Sequence, residues 1–289
     1  MSERIVERAH AKLNVFLRVL GRRDDGFHDV ETLLLPLEVH DLVTVEPADA
    51  FAVEVTGPRA EELARAGGES LVARAAAAVA RATGLPAPPA VRVTIDKRVA
   101  VAAGMGGGSA DAAAVLRALG RLLGAGRDDL VTIAAEVGSD VPALVHGGPV
   151  FAEGRGERVT PVHAVTSHWV VAPLPFPVSA ADAYAWWDAH PRTGPDPGAL
   201  IAALETGNDE LLGSALYDDL APGVLAHHPE VAATIEAFEG AGALGAVMTG
   251  SGPTVVALAR HLGQADALAA GVPGAFATSG PPVERLVGP

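Results

Sequence analysis

The sequence predicts an α+β fold, on three observations. The N-terminal part alternates apolar and polar residues with the two-residue period of half-buried strands. Alanine-rich runs of helical length follow, bounded by capping residues and glycines. Strands and helices are then interleaved without the strict βαβα rhythm of a doubly wound parallel sheet.

Taken in order, 5–20, 30–37, 42–46 and 51–55 read as strands, rich in Val, Leu and Phe and broken by turn residues. Arg22-Arg23-Asp24-Asp25-Gly26 is a polar turn between the first two. Residues 70–83 read as a helix, with Glu69 or Ser70 near its start and Gly84 beyond its end. A proline connector, 86–89, leads to a strand at 91–95. A glycine-rich loop and a helix over about 109–123 come next, then a helix at 128–137 with Asp128 placed as N-cap. Gly147, Gly148, Gly154 and Gly156 punctuate the middle of the chain. The proline-bearing stretch after Pro161 reads as the passage between two lobes, 1–158 and 159–289. In the second, 168–172, 245–248 and 255–259 read as strands, and 180–188, 229–239 and 263–270 as helices. No internal repeat and no charged tail is present.

Composition narrows the function. Hydrophobic residues make up 49% of 289 and charged residues 19%, enough for a packed core and too apolar for a disordered chain. The net charge of −14 disfavours nucleic acid and anionic membrane as partners, because both require clustered positive charge. An anionic substrate must therefore be held by a few local groups. The absence of cysteine excludes disulfides, thiolate nucleophiles and cysteine-bound metals, and fits a cytoplasmic protein. The uncharged stretches 159–181 and 241–259 are interrupted by prolines and glycines and do not read as membrane spans. Lysine occurs only at Lys12 and Lys97, against 19 arginines. A lysine retained under such a bias points to a place where a compact ammonium is needed and a planar guanidinium does not serve.

The strongest chemical signal is Ala102-Ala103-Gly104-Met105-Gly106-Gly107-Gly108-Ser109-Ala110-Asp111, leading into an alanine-rich helix. Three successive glycines let backbone approach a ligand, and a helix N-terminus adds free amides and the positive end of a dipole. The combination suits phosphate. On this reading a β-branched residue at Gly107 would stand in the path of the phosphates. The loop lacks the lysine of a Walker motif and the third glycine of a dinucleotide fingerprint. It is also unaccompanied by the catalytic-loop and Asp-Phe-Gly motifs of protein kinases.

This loop resembles the phosphate loop of the GHMP kinases. Ala11-Lys12-Leu13-Asn14 with Asp25-Gly26-Phe27-His28 is similar to the N-terminal signature of one branch of that family. Gly138-Ser139-Asp140-Val141-Pro142 resembles its catalytic aspartate segment, and Thr249-Gly250-Ser251-Gly252-Pro253 its C-terminal motif. The matches run in order from residue 11 to residue 253. The chain departs from the pattern at Ala100, where proline is usual, at Met105 for leucine, at Ala110 for a second serine and at Phe27 for tyrosine. The resemblance implies two lobes, the first like ribosomal protein S5 domain 2 and the second ferredoxin-like. It implies ATP with Mg2+ as cofactors, and a small cytidine-diphosphate-linked methylerythritol alcohol as acceptor. A kinase for another small alcohol, such as homoserine or mevalonate, is the alternative. The protein is expected to be a monomer or a weak homodimer.

The same resemblance assigns site residues. Asp140 would orient or deprotonate the acceptor hydroxyl, and Lys12 would hold Asp140 ionised and offset phosphate charge. A helix N-cap is a second, compatible role for Asp140. Lys97, Ala100, Val101, Ala102, Ala103, Gly104, Met105, Gly106, Gly107, Gly108, Ser109 and Ala110 would form the ATP site, with Ser109 as a phosphate or magnesium ligand or an N-cap, and Asp111 as a support for magnesium. Asn14, His28 and Thr249 would face the alcohol substrate, His28 reading the cytosine edge. Phe27 and Tyr184 would sandwich the base. No protein metal centre is expected, because magnesium would be held mostly by phosphate oxygens and water.

Overall fold

A computed structural model describes residues 4–66, 71–101 and 104–282. Its first strands are long. β1 (Ile5–Arg22) and β2 (His28–Pro47) pair antiparallel over almost their whole length. The expected break between 30–37 and 42–46 is a local register shift inside β2 instead. Pro36 lacks an amide for the ladder, and β2 bulges beside it, setting residues 37–39 against Ala11 of β1.

β3 (Ala52–Thr56) is followed by α1 (Ala60–Ala66), α2 (Leu71–Ala82) and β4 (Val91–Asp96). Three helices come next: α3 (Gly107–Leu123), α4 (Arg127–Val137) and α5 (Val141–His146). A hairpin of β5 (Val150–Gly154) and β6 (Arg158–Pro161) completes this part, and β7 (Ser167–Ala172) starts a second sheet. Then come α6 (Ala180–Ala189), α7 (Gly198–Thr206), α8 (Asp209–Ala215) and the short β8 (Tyr217–Asp218). The chain continues through α9 (Ala221–His227), α10 (Pro229–Gly240), β9 (Gly245–Met248), β10 (Val255–Ala259), α11 (Leu262–Ala270) and β11 (Phe276–Gly280).

Among the described residues the strands form two sheets. The seven-stranded sheet has the order β3-β4-β2-β1-β8, with the β5–β6 hairpin attached to β2. The four-stranded sheet has the order β11-β7-β10-β9 and is antiparallel throughout. One core joins the first sheet to α2–α5 through alternate apolar residues such as Val43, Val93, Leu116 and Leu119. A second core lies where the two sheets meet, around Phe16, Leu35, Trp169 and Val256. A third packs α6, α9, α10 and α11 through Ala183, Val224, Phe238 and Leu268.

Two N-cap expectations are corrected. Gly106 caps α3, which begins two residues before Ser109, so Ser109 is inside the first turn. Gly126 caps α4, and Asp128 lies within its first turn, where an acidic side chain suits the helix dipole. The expected start of the helix at 70 falls outside the described residues. Among those residues, no helix is long and apolar enough to cross a membrane.

Candidate active site

β1 carries the centre of the site. Register shifts on both sides, between His10 and Lys12 and between Asn14 and Phe16, isolate a short stretch of strand. Such irregularities re-aim side chains. The Lys12 amide donates to the Met105 carbonyl at 3.0 Å, which docks the glycine loop on the strand. The Asn14 amide donates to Thr249 Oγ1 at 2.7 Å, which docks the C-terminal motif on the same strand. Positions 11–14, 104–106 and 249–252 are thereby brought together.

Lys12 is buried, and its Nζ donates to Asn14 Oδ1 and to the Gly104 carbonyl, both at 2.7 Å. Asp140 Oδ2 lies 3.6 Å from the same nitrogen. Asp140 occupies the N-cap position of α5, but its side chain caps nothing there and faces Lys12. Asn14 is fixed in turn by donating Nδ2–H to Thr32 Oγ1 at 2.7 Å, and Thr32 donates to the Phe16 carbonyl. The lysine, amide and carboxylate form a pre-oriented group at the floor of a cavity of about 790 Å³.

The glycine loop forms one wall. Gly104 and Gly106 have φ of +70° and +67°, a conformation that glycine adopts without strain. A Cβ on Gly106 would lie 3.0 Å from Lys12 Cε, and one on Gly104 would lie 3.2 Å from the carbonyls of Thr249 and Gly252. The first-turn amides of Gly107, Gly108 and Ser109 have no intrahelical acceptor, and no side chain caps them. Gly104, Gly106 and Ser109 line the cavity. This edge fits a polyphosphate.

Several expected members of the ATP site face elsewhere. Lys97 is buried away from the cavity, donating to Asp41 Oδ2 at 2.7 Å and Asp111 Oδ2 at 2.6 Å. Burial opposes its charge, but the two carboxylates outweigh that and raise its pKa. Burial is also the main reason the Asp111 carboxyl is pushed up to about 7. Asp111, expected as a magnesium support, is thus held through Oδ2 by Lys97 and does not line the cavity. Gly107 faces Lys97 and Val99, each 3.2 Å from an added Cβ, so a substituent there enters packed interior instead of the phosphate path. Met105 is buried and contributes its carbonyl to β1, while Ala110 is buried beneath the loop. Ala100 packs against the core between the sheets. Val101 precedes Ala102 and Ala103, which lie outside the described residues.

The other end of the cavity holds Phe27, His28 and Tyr184. His28 Nε2 donates to Asp188 Oδ1 at 2.8 Å, which fixes one ring nitrogen as donor. Its ring stacks on Tyr184 at 4.5 Å and meets Trp187 edge-on at 5.8 Å. Burial, reinforced by Asp218 and Asp140, pushes the Tyr184 phenol far up. The rings expected to sandwich the base, Phe27 and Tyr184, both line the cavity; His28 covers a face of Tyr184, and Phe27 is half exposed beneath Arg155.

Sequence reasoning missed Asp188, Arg155 and Asp218. Only their apposition to His28, Phe27 and Leu17 marks them. Asp218 pairs with Leu17 in parallel register, so its side chain shares the sheet face on which Leu17 lines the cavity. Oδ1 accepts the Leu220 amide at 2.9 Å, and Oδ2 is buried with no well-formed hydrogen bond among the described residues, the Gly250 amide being its nearby donor. Burial drives its pKa well up; the Leu220 and Gly250 amides and Lys12 offset this only in part. No cluster of three metal-ligating side chains occurs among the described residues.

Comparison with known proteins gives the family. The model of GHMP kinase N-terminal domains matches residues 70–148, and that of the C-terminal domains matches 200–278. A 4-diphosphocytidyl-2-C-methyl-D-erythritol kinase of Symbiobacterium thermophilum is 42% identical over 252 residues, covering 86% of this chain and 88% of that protein. The chain belongs to the 4-diphosphocytidyl-2-C-methyl-D-erythritol kinase family of GHMP kinases. The family member of Salinispora tropica is likewise 42% identical, covering 91% of this chain and 86% of the relative. A crystal structure titled 4-(cytidine 5'-diphospho)-2C-methyl-D-erythritol kinase superposes with a TM-score of 0.80 at 32% identity, over 96% of this chain and 100% of that one. A homoserine kinase from Cytophaga hutchinsonii shares the fold, with a TM-score of 0.69 at 20% identity over 97% and 95% of the two chains. The α+β GHMP kinase fold expected from the sequence is the observed one, built on two sheets.

Proposed function

We propose that this chain transfers the γ-phosphoryl group of ATP to the 2-hydroxyl of 4-diphosphocytidyl-2-C-methyl-D-erythritol, a step of the non-mevalonate isoprenoid pathway. The observation that carries this reading is one cavity with three ends: the glycine cradle, the Lys12–Asp140 pair and the His28–Asp188 pair. The family relationship supplies the substrate class.

Phosphoryl transfer calls mainly for alignment and charge stabilisation. The free amides at the start of α3 bind the phosphates. Asp140 accepts the proton of the attacking hydroxyl, or orients it, from a position fixed by the turn into α5. Lys12 balances the charge of Asp140 and of the moving group, and Asn14 and the Gly104 carbonyl keep its ammonium from rotating away. Magnesium would supply further neutralisation of the phosphate charge. The Ser109 hydroxyl is the cavity group suited to it, since Asp111 is held by Lys97. His28 reads the cytosine edge through the nitrogen that Asp188 leaves free. Thr249 acts through Asn14, which it positions. On this reading residues 1–158 form the ATP-binding lobe and residues 159–289 the second, substrate lobe, with the acceptor held between them by His28 of the first and Tyr184 and Asp188 of the second.

The test is ATP consumption with the purified chain and each of three alcohols: the cytidine-diphosphate methylerythritol, homoserine and mevalonate. Turnover of the first alone is expected. Turnover of either other alcohol without the first would overturn the assignment.

A further inference from the structure

We infer that Arg155 is the side chain that recognises the diphosphate bridge of the acceptor substrate. The inference rests on the function proposed above and assigns a residue that no sequence motif singled out.

Arg155 sits in the turn Gly154-Arg155-Gly156-Glu157 between β5 and β6. The flanking glycines have φ of +73° and +108°, and Glu157 Oε2 accepts the Arg155 amide at 2.5 Å. A Cβ on Gly156 would lie 3.0 Å from the Ser139 carbonyl, so the turn is seated against the segment that carries Asp140. All of these constraints act on backbone or on neighbouring residues. The guanidinium itself makes no hydrogen bond or ion pair among the described residues. It lies over the Phe27 ring, 4.9 Å from the centroid, and lines the cavity. Asp25 feels its charge but does not reach ion-pair distance.

The other cations of the cavity are engaged. Lys12 faces Asn14, Gly104 and Asp140, and Arg22 lies 3.6 Å from Asp188. In a chain of net charge −14, a half-buried guanidinium left bare inside a cleft is a local device for an anion. Its place tells which anion. Phe27 and His28 mark the base end of the substrate and Asp140 marks the hydroxyl end. In the substrate, the group joining those ends is the diphosphate. A planar fork of N–H donors matches phosphate oxygens in pairs, and stacking on Phe27 limits the rotamers lost on binding.

The test compares the parent, Arg155→Gln and Arg155→Lys by titration calorimetry with cytidine and cytidine diphosphate, and by steady-state kinetics. In the parent, cytidine diphosphate should bind more tightly than cytidine. Arg155→Gln should lose that preference and raise KM for the alcohol roughly ten- to a hundredfold, the loss of charge-assisted hydrogen bonds. Its cytidine affinity, kcat and KM for ATP should stay within about twofold of the parent, and Arg155→Lys should recover part of the loss. If Arg155→Gln keeps the parent's preference for cytidine diphosphate, or if it chiefly changes kcat or KM for ATP, the assignment is wrong. A parent that binds neither cytidine nor cytidine diphosphate would instead overturn the proposed function itself.

Discussion

Gly106→Ala tests the central geometry of the site. Gly106 has φ +67° and ψ +18°, where an alanine costs about 1–2 kcal/mol. Its new Cβ would lie 3.0 Å from Lys12 Cε and 3.1 Å from Cγ, where carbon contacts normally settle at roughly 3.5–4.0 Å. The backbone cannot yield easily, because the Lys12 amide holds the Met105 carbonyl at 3.0 Å. The lysine side chain moves instead and draws Nζ away from Asn14, Gly104 and Asp140. Misplacing a reacting group by an ångström costs about a hundredfold in rate. The expected result is a kcat lower by roughly 10–10²-fold, with a melting temperature only about 2–6 °C lower. Gly107→Ala is the control: its Cβ meets Lys97 Nζ and Val99 at 3.2 Å, so it should cost stability with little effect on kcat. Initial rates at saturating ATP and scanning calorimetry on both variants give the comparison. Parent-like kcat in Gly106→Ala, or a larger kcat loss in Gly107→Ala, would refute the packing of Lys12 against the loop as the source of its alignment.

Asp140→Asn should retain ATP binding by calorimetry and lose about 10²–10⁴-fold in kcat; near-normal turnover removes Asp140 from the chemistry. Lys97→Met leaves Asp41 and Asp111 buried without their cation and should destabilise the fold by about 3–5 kcal/mol in denaturant titration. Loss of ATP affinity without that destabilisation would return Lys97 to the nucleotide site. His28→Ala should weaken binding of the alcohol by about 1–3 kcal/mol and leave KM for ATP unchanged, and an equal effect on both substrates would contradict a role in base reading. Asp218 has a pKa raised by burial, so the folded state keeps a proton that the unfolded chain releases near pH 4. Stability should therefore fall as pH rises above that point, and Asp218→Asn, which cannot ionise, should flatten melting temperature against pH; parallel profiles would show that Asp218 is ionised in the fold.

Local pattern revealed most of the elements because their burial is periodic. Strand 91–95 and strands 245–248 and 255–259 coincide with β4, β9 and β10 to within one residue, since each is flanked by turn residues and apolar on the buried face. The short pieces were not legible. β8 contributes two residues and exists because the edge of β1 near Phe16 accepts a partner. The helix α5 has six residues, too few for a 3.6-residue period to declare itself. The apparent split of β2 has a related reason: a proline and a polar cluster look like a turn, whereas β2 bulges there and stays paired with β1 on both sides.

The two lysines show where the sequence reaches its limit. Their scarcity marks both as places for a compact ammonium, and both are buried against carboxylates. Each uses its tetrahedral donors in directions that a planar guanidinium cannot cover: Lys12 towards Asn14, Gly104 and Asp140, and Lys97 towards Asp41 and Asp111. What separates them is the exposure of the carboxylate. Lys12 meets Asp140, part exposed in the cavity, whereas Lys97 meets two carboxylates that are sealed from solvent. Under the function proposed, the first arrangement leaves a carboxylate free to receive a hydroxyl proton. The other uses up every charge in holding the start of α3 against β2 and β4, which keeps the phosphate-binding amides in place. Residue counting identifies the need for an ammonium at both positions; the distance of its partner from solvent decides which ammonium faces the cavity.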